Sequence, residues 1–183
     1  GVSVSNYITN SDELREFYGV PSLPAQNKVV TRLDSHCRRL IGLAPYLVLA
    51  TSNADGATDA SPRGDAPGFV IVADDHTLLI PDRKGNKRVD SLMNIVSNPL
   101  VGVLFMVPGF NETLRVNGSA RICIDPAVLE PLAVRDRAPE AVIEVTVNEA
   151  YLQCAKALVR SKLWDASRHQ VRKDFPSFGQ MLA

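Results

Sequence analysis

Several patterns that would announce a chemistry outright are missing from this chain of 183 residues. Cysteine is scarce: Cys37, Cys123 and Cys154 are far apart and form no CxxC pair. That argues against a disulfide scaffold and suits reduced thiols in a cytosol. His36, His76 and His169 are single and separated, so no zinc site can be read. There is no GxxxxGK[ST] loop, no GxGxxG after a strand and no GxSxG elbow. These absences exclude the usual nucleoside triphosphate hydrolase, dinucleotide-binding and serine hydrolase sites. The 20 basic and 20 acidic residues cancel, so no excess of charge points to nucleic acid. No apolar run is long enough to span a bilayer. The polar start, with Asp12 and Glu13, reads as no signal peptide, and a cytoplasmic location without membrane partner is the expectation.

What is present reads as one domain over 1–183. A helical segment covers about 9–41, a β-rich body about 46–148, and a C-terminal helix and tail about 149–183. Residues 9–18 carry capping candidates before an apolar side, and Gly19 and Pro21 end that helix. The spacing of Val29, Val30, Leu33, Cys37, Leu40 and Ile41 predicts a second helix over about 25–40, stopped by Gly42. From Tyr46 the period changes. Tyr46 to Thr51, the turn Asn53-Ala54-Asp55-Gly56 and Ala57 to Ser61 predict a hairpin, with Pro62, Gly64, Pro67 and Gly68 interrupting pairing. Phe69 to Ala73 and Thr77 to Ile80 predict a second hairpin. A helix over 86–97, capped by Asn86, precedes strands over 100–107 and 113–124, with Gly118 marking a bulge or a close backbone approach. Asp125-Pro126 starts a short helix, 141–147 alternates as a strand, and 149–158 reads as helical. Hairpin-rich order with few crossovers predicts a mainly β fold, a small antiparallel barrel of roughly six strands with peripheral helices.

Four stretches can carry chemistry. Arg83, Lys84, Lys87 and Arg88 put four cations within six residues, with Gly85 allowing close approach and Asn86 capping a helix. Cations in a first helical turn oppose the helix dipole by about 0.3–1 kcal/mol each, and a bound phosphate reverses that sign. The same loop also reads as a solvated basic turn neutralised by Asp82 and Asp90. In Ser61-Pro62-Arg63-Gly64-Asp65, Arg63 is either a donor for phosphate or a flavin carbonyl, or half of a surface Arg63–Asp65 pair. Arg115 lies on a solvent face or lines a cleft. Trp164 caps the core or stacks on a planar ring, with Arg160 and Ser161 at its edge.

Taken in order, these residues resemble the pyridoxamine 5′-phosphate oxidase-like, FMN-binding split-barrel family. The matching stretches are Ser61–Asp65, Pro67–Val70, Ile80–Asn86, Asn94-Ile95, Pro108–Gly118 and Cys154–Trp164, and the match runs over about 10–165. The resemblance implies a six-stranded antiparallel split barrel, and a homodimer with FMN in a cleft at the subunit interface. It implies that Asn86, Lys87 and Arg88 grip the FMN phosphate, with Arg83 and Lys84 close by. Ile80, Pro81 and Asp82 would border the cofactor, and Ser61, Arg63 and Gly64 would lie near the phosphate or ring. Thr113 and Arg115 would contact the ring from the partner subunit, and Arg160, Ser161 and Trp164 are further carry-overs. The Arg-x-His pair that handles the pyridoxal substrate in the oxidases has no counterpart in Phe175–Ala183, and Arg168-His169 are adjacent. The resemblance therefore implies a flavin fold without implying that substrate.

The expected function is that of an FMN-dependent oxidoreductase acting on a small molecule, the flavin doing the redox chemistry. No side chain stands out as a general acid or base. The alternative is a non-catalytic protein of the same fold that binds or stores flavin or haem.

Overall fold

The computed structural model describes residues 6–20, 29–83, 90–153 and 155–183. Its centre is an antiparallel sheet built from β1 (Tyr46–Ser52), β2 (Thr58–Gly64), β3 (Ile71–Asp74), β4 (Thr77–Asp82), β5 (Leu100–Met106), β6 (Thr113–Cys123) and β7 (Ala141–Gln153). Helices α1 (Ser11–Tyr18), α2 (Ser35–Leu43), α3 (Asp90–Ser97), α4 (Pro126–Leu129), α5 (Lys156–Ser161) and α6 (Phe178–Leu182) flank it. The strand order is β2-β1-β5-β6-β7-β4-β3. Every stretch read as extended forms a strand, so the sheet has seven strands and the expected count of six was one short.

Alternation sets the two faces of the sheet. On β1 Leu47, Leu49 and Thr51 point inward, and their partners Phe105 and Val103 on β5 and Leu114 and Val116 on β6 do the same. Ile80 and Leu78 of β4 and Ile143 and Val145 of β7 complete one continuous core. Each such fully buried side chain contributes about 1.5–3 kcal/mol.

The sheet curls without closing. No ladder joins β2 to β4 or β3, yet Arg63 on β2 bonds Asp82 on β4 at 2.5 Å, so the ends of the sheet face one another. Helix α3 fills the gap: Ser91 bonds Ser61 of β2 at 3.0 Å, and Asn94 donates to Thr51 of β1 at 2.9 Å. This is the split barrel expected, with a helix lying along the split.

Three local expectations are corrected. The helix expected over about 25–40 begins at Ser35 and runs past Gly42 to Leu43. Asp34 caps it by accepting the Cys37 N–H at 2.9 Å, and just before it Val30 forms a bridge with Ala150 of β7. Apolar residues continue at helical spacing across that cap, which hid the boundary; residues 21–28 lie outside the described residues. Pairing was expected to fail at Pro62, but β2 continues to Gly64, with Pro62 opposite Val48. An edge strand tolerates a proline because it has only one neighbour to bond. Finally, β7 extends to Gln153 where a helix was expected over 149–158; its partner β6 pairs as far as Thr113↔Gln153, and pairing overrides the local helical propensity. The register shifts between Asn117 and Gly118, and a Cβ on Gly118 would meet the Thr146 carbonyl oxygen at 2.2 Å. Gly118 thus serves both as bulge and as close approach. No described helix is long and apolar enough to cross a membrane.

Candidate functional site

The split in the barrel gathers the polar groups of β2, β4 and α3. Residues two apart on a strand share a face, so Ser61 and Arg63 both point inward, opposite Leu49 and Leu47. Asp82 ends β4 on the same side as Ile80. Arg63 and Asp82 are 19% and 22% exposed, and one Nη of the guanidinium donates to the carboxylate. The Nε of Arg63 is buried with no partner among the described residues.

The serine pair leaves a donor over as well. Ser91 is buried, and its hydroxyl meets that of Ser61; one donates to the other, so one hydroxyl hydrogen remains unspent. Ser91 is the second described residue of α3 and meets Ser61 of β2 there. The orphaned groups at this mouth are donors. An anion with several acceptor oxygens fits such a surplus, and a phosphate group is the natural match.

Arg83, one residue after β4, is different. Its Nη2 donates to the Leu132 carbonyl at 2.8 Å and its Nη1 to the Arg137 carbonyl at 3.3 Å. Its Nε lies 3.4 Å from Asp65 Oδ2, close enough for charge attraction but without hydrogen-bond alignment. Leu132 ends a short 3-10 helix, and Arg137 closes the tight turn after it, in which Arg135 and Asp136 have φ of 53° and 62°. That conformation costs about 1–2 kcal/mol per non-glycine residue. Arg83 offsets the strain and straps the turn against the 65–71 loop.

On the opposite face of the sheet, Arg115 donates to Tyr151 Oη at 2.9 Å and to Gln153 Oε1 at 3.1 Å. Asn117 donates to Glu149 at 2.8 Å. Farther along, the Trp164 indole N–H donates to the Phe110 carbonyl at 2.8 Å, fixing the segment after α5 to the 108–111 loop. Among the described residues no group of three or more His, Cys, Asp or Glu is placed to hold a metal ion.

Comparison with known proteins adds the family. The model of the pyridoxamine 5′-phosphate oxidase family matches residues 33–154 of this chain. The chain belongs to that family. Among solved structures, HupZ of Group A Streptococcus is similar at 20% identity and a TM-score of 0.54, over 65% of this chain and 92% of HupZ. A Lactobacillus delbrueckii protein assigned to the pyridoxamine 5′-phosphate oxidases is similar at 22% identity and a TM-score of 0.53, over 67% and 95% of the two chains. At these identities the likeness is one of fold. No curated protein matches the chain in sequence.

The family's expected residues fall into separate groups within one chain. Ser61, Arg63 and Asp82 come together at the split, with Gly64 and Pro81 beside them; the Ile80 side chain is fully buried in the core. Thr113 and Arg115 lie on the other face of the sheet, because Leu114 between them is buried. Arg160 is exposed, the Ser161 hydroxyl turns back to the Leu158 carbonyl, and Trp164 is half-buried. Lys84, Asn86, Lys87 and Arg88 lie outside the described residues. The surface pair Arg63–Asp65 does not form, since Asp82 takes Arg63 and Asp65 takes Arg83. Ser91, Tyr151 and Gln153 were not foreseen. The alternation of polar Glu149, Tyr151 and Gln153 with buried Ala150 was the available signal for the last two.

Proposed function

We propose that the protein is an FMN-binding flavoprotein that works as an oxidoreductase on a small substrate. The observation that carries this reading is the donor surplus at the split among the described residues: an Arg63 Nε without a partner beside a serine pair with a hydrogen to spare. Ser61, Arg63 and Ser91 would hold the FMN phosphate together with the basic stretch Lys84, Asn86, Lys87 and Arg88. The Pro81–Asp82 backbone, with Gly64 across the split, would border the cofactor. When bound, the flavin supplies the electron-transfer chemistry, and the protein binds and orients it.

A homodimer is part of the reading. The outward face of β1, β5 and β6 presents Tyr46, Val48, Leu104 and Met106 next to Thr113 and Arg115. A second copy covering that face would bring its neighbour's Arg115 toward the cofactor, and the separation of Arg63 and Arg115 on opposite faces supports contributions from two subunits. Arg160, Ser161 and Trp164 would close the ring end of the site.

A storage role without turnover is the second reading, and one observation favours it. Asp65 and Asp82, two carboxylates at the split, are each paired with an arginine, which leaves neither free as a proton carrier.

The visible spectrum of the purified protein, followed by FMN titration, is the first test. Flavin absorbance and saturable uptake are expected, and a colourless protein that gains neither absorbance nor thermal stability from FMN overturns the proposal. Lys87→Ala with Arg88→Ala should weaken FMN retention; unchanged retention removes the phosphate assignment of that stretch. Steady-state oxidation of reduced nicotinamide under air then separates enzyme from storage protein, because absence of turnover across electron donors leaves only storage.

A further inference from the structure

We propose that Asp82 is a positioning residue for the cofactor's phosphate: by holding one arm of Arg63 it keeps the rest of that guanidinium unspent and in place. The inference rests on the FMN reading above. A carboxylate beside a phosphate site needs a reason, since like charges at close range cost binding energy. The geometry offers one. Arg63 has a long side chain that would otherwise sample many rotamers, and ordering it on binding would cost affinity. Asp82 prevents that. It stands on β4, held by pairing with Ala141 of β7, and Arg63 stands on β2, held by pairing with Leu47 of β1. The 2.5 Å contact joins two rigid strands across the split. It uses one Nη and leaves the Nε and the other Nη without a hydrogen bond among the described residues, so the tether fixes the cation without exhausting it. Asp65, the nearer carboxylate in sequence, cannot compete because it faces Arg83.

A purely structural ion pair that only joins the sheet ends would affect both phosphorylated and unphosphorylated flavin alike. The test is therefore a ratio. FMN and riboflavin, which differ by the phosphate, are titrated by flavin fluorescence into wild type, Asp82→Ala and Asp82→Asn. Asparagine keeps an acceptor oxygen at the same reach without the charge. The expected result is that Asp82→Ala weakens FMN about tenfold, the loss of a well-placed charge-assisted contact. Riboflavin should stay within about twofold, and Asp82→Asn should hold FMN closer to wild type than alanine does. FMN binding by Asp82→Ala that equals or exceeds wild type overturns the inference, as does an equal loss for both flavins. Should Asp82→Ala fail to fold, Asp82→Ser is read by the same ratio. A wild-type protein with no preference for FMN over riboflavin overturns the phosphate-site reading itself, and this inference with it. A wild type that prefers FMN with an Asp82→Ala that still does so equally overturns this inference alone.

Discussion

Arg63 and Arg83 flank the end of β4 and are both partly buried, but their donors go to different places. Arg83 gives both Nη groups to backbone carbonyls and its charge to Asp65. Arg63 gives one Nη to Asp82 and keeps a buried Nε in reserve. The sequence offers both as cofactor ligands, the stretch around Arg83 on its run of cations and Arg63 more on the family resemblance. Each keeps a buried Nε without a hydrogen bond among the described residues, so the Nη groups sort them: Arg83 spends both on its own chain and is a clamp, whereas Arg63 has one Nη without a hydrogen bond among the described residues and is available to a ligand.

The sharpest break of that comparison is Arg63→Ala. FMN affinity should fall by about 10–100-fold, the loss of hydrogen bonds to a charged group, with some loss of stability as well, because Asp82 is left without its partner. Unchanged affinity in fluorescence titration would place the phosphate elsewhere. Arg83→Met should do the reverse. It should cost about 1 kcal/mol of stability because the part-buried Leu132 carbonyl and the exposed Arg137 carbonyl lose their partner, speed hydrogen exchange around 130–137, and leave FMN affinity within about threefold. A fall in affinity with unaltered exchange at that turn would make Arg83 a ligand after all.

Helix α2, which carries neither arginine, supplies the reference. Burial, reinforced by the Asp34 carboxylate, pushes the Cys37 thiol from its ordinary 9.0 up to about 11. The thiol stays protonated in the fold and ionises earlier in the unfolded chain. The stability it lends is therefore whole below pH 9 and is lost as pH climbs toward 11, with a slope of up to about 1.4 kcal/mol per pH unit. Denaturant melts from pH 8 to 11 should show this, and Cys37→Ala should flatten the slope without touching flavin binding. Smallest is Asp34→Ala, where loss of the N-cap should cost about 1 kcal/mol. Because the Cys37 N–H lowers the Asp34 carboxyl below its ordinary value, that contribution is present at neutral pH and fades as acid protonates the group. A flavin affinity that follows either α2 variant would show that the two regions are coupled and that stability, not donor count, governs binding.

Much of the fold was legible because its cause is local. The turn at Asn53–Gly56, the cap at Asp125 and the inward set Leu114 and Val116 all follow from neighbours in sequence. The misreadings have long-range causes. Residues 149–153 pair because β6 is long enough to receive them, and Pro62 is tolerated because no described strand pairs with the free edge of β2. The site divides the same way. Residue types and order gave the family, while the choice of Asp82 over Asp65 as the partner of Arg63 depends on the curl of the sheet, which no spacing records. Ser91 was invisible for the same reason: its role exists only because α3 lies along the split and meets β2.

The position of Pro62 also bears on how copies of the chain can assemble. An exposed edge strand is a template on which another strand can add, one ladder bond at a time. Pro62 removes a donor from the middle of β2, and Gly64, two residues on, ends the strand. Growth through that edge, whether as an extended sheet or as an aggregate, meets a missing rung, and substituting Pro62 would restore it.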